Sequence, residues 1–181
     1  MRLSCFNKMA MEKLIRANLH FLDQAERLLV QVADGDYGEA VETFYGSTLG
    51  QHLRHCLDHY ISLLAGLDKA KVDYDCRARQ EDLESSTASA IEEVLRVRSE
   101  LEALLMRQAP RDLLVKMNCG TDDADWQPST LGRELQFLVS HTVHHFAMMG
   151  GMCHQLGVAL EDDFGVAPAT LSHREEAGCG G

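Results

Sequence analysis

No two of the six cysteines in this 181-residue chain are spaced as CxxC, which argues against a cysteine-type zinc site and suits free, reduced thiols better than a disulfide framework. A basic surplus is also missing. The net charge is -11 and the pI near 5.2, so nothing is at hand to neutralise a phosphate backbone or an anionic membrane surface. No stretch approaches the roughly 18 apolar residues of a membrane span, and MRLSCFNKMAMEKLIRANLH has no apolar run followed by a cleavage site. The expectation is a cytoplasmic protein without nucleic-acid or membrane partners. No ExxH pair stands in helical context, which sets aside a di-iron carboxylate bundle, and no Ser or Cys triad is evident.

What the chain does have is helical periodicity, broken by only three prolines. Its length suits one domain, residues 1–181. Residues 8–33 place Leu14, Ile15, Leu19, Leu22, Ala25, Leu28, Leu29 and Val32 at three-and-four spacing, and DGDYG then supplies a turn. A second helix is expected from Ser47 to about Leu67, and a third from about Thr87 to Ala109, closed by Pro110. The fourth runs from Ser129 to about Leu156. Long connections follow the second and third helices, and LLVKM in the latter reads as a short extended piece. This is an all-α pattern, a four-helix bundle over about 8–157 with a partly ordered tail over 158–181.

The phrase STLG occurs at 47–50 and again at 129–132, each time leading into a histidine-rich helix. Serine is a favoured N-cap, so Ser47 and Ser129 are the expected helix starts. The glycine costs roughly 1 kcal/mol in a helix interior, a cost that close approach of another backbone would explain. On the fourth helix His141 and His145 lie four residues apart, on one face with Glu134, Leu138, Met148 and Met152, while His144 falls at its edge. Two histidines at that spacing can hold one metal ion. On the second helix His52, His55 and His59 fall within about 60 degrees of each other. Periodicity alone favours His52 or His59 as the third ligand, because His55 lies furthest from the apolar stripe, beside Asp58, Ser62 and Gly66.

STLGQHLRHCLDH together with HTVHH resembles the DinB/YfiT-like superfamily of metal-binding four-helix bundles. Carried over position by position, the resemblance implies metal ligands at His55, His141 and His145. It also implies an up-down-down-up helix order, a second helix with two faces turned inward, and a homodimer. Three imidazoles would leave a divalent ion its full charge and open coordination positions, and zinc, nickel and iron(II) all accept such a set. Related enzymes include thiol-dependent S-transferases using mycothiol or bacillithiol, and the sulfoxide-synthase domains of ergothioneine biosynthesis. The function so implied is transfer to, or hydrolysis of, an electrophilic small molecule by an activated thiol or water. The alternative is a non-enzymatic metal-binding or stress-response dimer. His52, His59, Glu134 and His144 are the candidates for proton transfer or ligand orientation, and Tyr74, Arg77 and Arg79 are candidate contacts for an anionic substrate group.

Overall fold

Apolar stripes at helical spacing fold into four long helices in a computed structural model that describes residues 2–76, 80–107, 109–118, 120, 125–171 and 173, with side chains from residue 9 onward. Helix α1 spans Arg2–Gln31, a single turn α2 spans Asp34–Tyr37, and α3, α4 and α5 span Leu49–Gly66, Thr87–Ala103 and Leu131–Leu156. Helix α1 packs on α4 and α5, and α3 packs on the same two. Ile15, Leu22, Leu28 and Leu29 of α1 meet Leu53, Leu57, Tyr60, Val94, Val97, Leu135 and Leu138 in one buried core. No helix among the described residues is long and apolar enough to cross a membrane.

Several boundaries differ from those expected. Helix α1 begins before residue 8, and the DGDY segment expected as a turn is itself helical, with Tyr37 buried and its hydroxyl donating to the carbonyl of Leu83 at 2.7 Å. Helix α4 ends at Ala103 rather than Ala109, its last turns tightening through Leu104 N–H to Leu101 O and Leu105 N–H to Glu102 O. The caps are threonines: Gln51 N–H donates to Thr48 Oγ1 at 3.0 Å and Arg133 N–H to Thr130 Oγ1 at 3.2 Å. Each helix thus starts one residue later than serine capping would place it. Gln51 returns a side-chain acceptor to Thr48 N–H, completing a capping box.

The chain is not purely helical. Strand β1 (Lys71–Asp73) pairs in parallel with β2 (Asp112–Lys116), which pairs antiparallel with β3 (Gln127–Thr130). The extended piece expected within LLVKM is β2; β1 and β3 are too short for alternation to reveal, and β1 pairs with residues about forty further along the chain. The sheet fixes α5 directly. Thr130 is both the last residue of β3 and the cap of α5, and Leu131 N–H donates to Arg111 O at 2.9 Å. Helix α3 is held from the other side, where β1 crosses so close to Gly66 that an added Cβ would sit 2.3 Å from Lys71 O.

Of the segment after α5, Gly157–Leu171 is described: Phe164 stacks on Phe146 at 4.9 Å and Gly165 N–H donates to Gln24 Oε1. Most of the expected tail beyond it, residues 172 and 174–181, lies outside the described residues.

Candidate metal centre

Helices α3 and α5 face each other through their histidines in reversed order. His52 pairs with His145, His55 with His141, and His59 with Phe137 and His141. The two helices therefore run antiparallel here. Within this cluster one ring nitrogen from each of His55, His141 and His145 lies within 4.8 Å of the other two, and all three side chains are half-buried. His55 Nε2 and His141 Nε2 are 3.1 Å apart. Two nitrogens bound to one tetrahedral ion at ordinary zinc–nitrogen lengths would be about 3.3 Å apart. His141 Nδ1 is buried and has no hydrogen-bond partner among the described residues, so none of them accepts from this ring to fix its orientation in the usual way.

His55 belongs to this group although periodicity favours His52 or His59. The reason is that α3 is buried on two faces. The connection after it covers the side that the apolar stripe leaves out, so Asp58 is buried there, accepting from Arg54 at 2.9 Å while Arg54 also pairs with Glu84. Gly50 and Gly66 permit that cover: a Cβ on Gly50 would lie 2.0 Å from Glu84 O. The polar face of α3 is thus partly covered, with Asp58 and Gly66 buried and His55 half-buried, and is not open solvent.

Burial first, and then neighbouring histidines, lower the pKa values of three of these rings. His141 is lowered to about 2 and His145 to about 3, and His52 is lowered by burial and by His144. Neutral rings, with lone pairs available, are the favoured form near neutral pH. Among the described residues no carboxylate joins the three-histidine group.

The remaining candidates occupy a shell around it. His52 Nδ1 is 2.9 Å from His145 Nδ1, and its Nε2 is 3.0 Å from Ser47 Oγ. His59 is buried; its Nδ1–H donates to His55 O at 2.8 Å, and its ring lies 4.2 Å from that of His141. His144 is exposed with its ring 5.1 Å from that of His145. Glu134 is buried and accepts from Tyr74 OH at 2.8 Å and from Ser129 Oγ. Tyr74 is therefore not a surface contact for substrate: its hydroxyl is committed and its ring stacks on His59 at 5.4 Å. Arg77 and Arg79 lie outside the described residues. Sequence spacing did not reveal the Tyr74–Glu134 contact, because the two lie 60 residues apart and meet only through the tertiary fold.

Cys56 and Cys153 are free and buried, with thiols pushed up by burial, that of Cys153 to about 11. Neither is poised as a nucleophile. A cavity of about 560 Å³ lies away from the histidine rings, on the sheet, where Lys71, Leu113, Pro128 and Ser129 line it. The histidine cluster relies instead on its own half-exposed rings for access.

The family model of the DinB superfamily matches residues 19–149, a span that contains α3, most of α5 and all five histidines of the cluster. FK506-binding protein 5 of Rhizopus delemar is 28% identical over 104 residues, which is 56% of this chain and 27% of that protein. The chain thus aligns with about a quarter of the length of this curated relative.

Proposed function

Because the chain belongs to the DinB superfamily, we propose that it is a metal-binding protein in which His55, His141 and His145 hold one divalent transition metal ion. The observation that carries this reading is the approach of the Nε2 atoms of His55 and His141 to 3.1 Å, with a nitrogen of His145 beside them. A cation between them would replace the proton that one ring otherwise donates to the other and make both nitrogens ligands. Zinc, nickel and iron(II) all accept three imidazoles. When bound, such an ion retains its full charge and open positions, and so lowers the pKa of a thiol or water that reaches it.

The same reading assigns work to the surrounding residues. His52 orients His145. His59 and Tyr74 wall the site by stacking, and Glu134 holds Tyr74. His144, exposed on the rim, is the group placed to exchange a proton with solvent. The reaction we propose is transfer to, or hydrolysis of, an electrophilic small molecule by an activated low-molecular-weight thiol or water. The thiol, the homodimer and an up-down-down-up bundle over one domain rest on the family resemblance, and the antiparallel run of α3 against α5 supports that helix order.

Elemental analysis of the purified protein, followed by cobalt substitution and titration with small thiols, tests the proposal. The expected result is one metal per chain and a thiolate-to-cobalt charge-transfer band. Absence of metal uptake by the wild type, or full uptake by a His141→Ala, His145→Ala double variant, would overturn it. Metal uptake without any thiol or water chemistry on a panel of electrophiles would instead favour a non-enzymatic binding module.

A further inference from the structure

We infer that Ser47 and His52 form a positioning relay that locks His145 in one tautomer, with the proton on Nδ1 and the lone pair of Nε2 left to the metal. The inference rests on the metal-centre reading for its purpose but not for its logic, which is a count of protons along a chain of contacts.

Ser47 Oγ lies 2.6 Å from Phe44 O. A carbonyl oxygen can only accept, so the single hydroxyl proton of Ser47 is spent there. Ser47 Oγ is also 3.0 Å from His52 Nε2. With its proton already given, the hydroxyl must accept, and His52 carries its proton on Nε2. A neutral ring has one proton, so His52 Nδ1 is a bare acceptor. That atom lies 2.9 Å from His145 Nδ1, which must then be the donor. The proton of His145 is fixed on Nδ1, and its ligand atom is Nε2.

The start of the relay is held rigidly. The carbonyl of Phe44 closes a tight turn in which Val41 bridges Ser47 and Tyr45 and Gly46 both take positive φ, 58° and 70°. The ring of Phe44 is seated on α5, 2.6 Å from where a Cβ on Gly151 would stand. The turn that presents Ser47 is thereby anchored to the helix that carries His145. His52 itself falls outside the group whose nitrogens are mutually within ligand distance, as expected of a residue that acts through a ligand. Partners of this kind set ring orientation and basicity, and their loss typically costs ten- to a hundredfold in metal affinity.

Imidazole nitrogen–proton correlation spectra of the metal-free full-length protein test the relay directly. They should show His145 protonated on Nδ1 and His52 on Nε2. Zinc affinity, measured by competition with a chromophoric chelator, should fall ten- to a hundredfold in His52→Ala. His52→Asn, whose Oδ1 stands in the place of Nδ1, should recover most of it, which a general packing defect would not allow. Ser47→Ala should leave His52 in mixed tautomers. Protonation of His145 on Nε2 in the wild type would overturn the inference, as would wild-type zinc affinity in His52→Ala. If His52→Ala does not fold, the wild-type tautomers and Ser47→Ala still decide. A wild-type protein that takes up no zinc would remove the metal-centre reading, while the tautomers of the metal-free protein still decide the relay.

Discussion

The carbonyl oxygen of Glu84 occupies the space where a side chain on Gly50 would begin, 2.0 Å from an added Cβ. At the matching position of the second STLG phrase, a Cβ on Gly132 would meet only Leu14 and Met11 side-chain atoms, each at an ordinary 3.8 Å. Two glycines in identical local sequence therefore have opposite substitution costs. Gly50→Ala should destabilise the protein by about 1–3 kcal/mol or more, since backbone must move. Gly132→Ala should be neutral or stabilise by up to about 1 kcal/mol through helix propensity. Urea denaturation of the two variants compares them directly, and equal effects would contradict the close approach at Gly50.

Tyr74 and Glu134 join the sheet to α5 inside the protein. Tyr74→Phe removes one donor to a buried carboxylate and leaves Ser129 as its remaining side-chain donor among the described residues. A loss of about 1–3 kcal/mol is expected. A double-mutant cycle with Glu134→Gln should return a coupling energy clearly different from zero. Strict additivity would mean that the contact contributes nothing.

Metal should stabilise the fold by mass action. If only the native state binds, zinc at a hundred times its dissociation constant adds about 2.7 kcal/mol. A melting temperature that climbs with zinc in the wild type, and stays flat in the His141→Ala, His145→Ala variant, is the expected pattern. Equal shifts in both would place binding elsewhere on this acidic chain.

Acid should unfold the metal-free protein through the same rings. His141 and His145 are depressed to about 2 and about 3 in the folded state, against an ordinary value near 6.5 when unfolded. Between those limits the unfolded chain binds more protons, so stability rises with pH there and is level above about pH 7. On acidification it is lost progressively from about pH 6.5 downward. Urea midpoints at pH 7.5, 6 and 5 should fall more steeply in the wild type than in the double alanine variant, and parallel slopes would show that these rings are not the cause.

The long helices were legible in the sequence because each carries an apolar stripe that must be buried. So was the His141–His145 pair, whose spacing needs no tertiary information. The third member of the histidine group was not legible from spacing. His55 sits on the side of α3 that the stripe leaves polar, and only the packing of α5 on that side, with the connection after α3 covering the neighbouring Arg54–Asp58 pair, turns it inward. The family resemblance pointed to His55 because it carries the outcome of such packing. Strands β1 and β3 were hidden for a related reason: three or four residues cannot display a period, and what makes them strands is pairing with β2, which for β1 lies about forty residues along the chain. The caps were misplaced by one residue, since serine and threonine are both good caps and here they stand side by side.

That one-residue offset gives the serines different work. Released from capping, Ser47 reaches His52 and Ser129 reaches Glu134, the fifth residue on in each case.

Because Thr130 ends β3 and caps α5 at once, the sheet acts as an angular index for the helix. The pairing of Asp112 with Thr130 sets where the first turn of α5 points, and every later side chain inherits that heading at about 100 degrees per residue. A single residue inserted between Leu131 and Ser140 would swing His141 and His145 away from His55 while leaving the apolar composition of the helix intact. One inserted between Lys116 and Gln127 need only lengthen a connection. The tolerance of this chain to insertion should therefore change abruptly at Thr130.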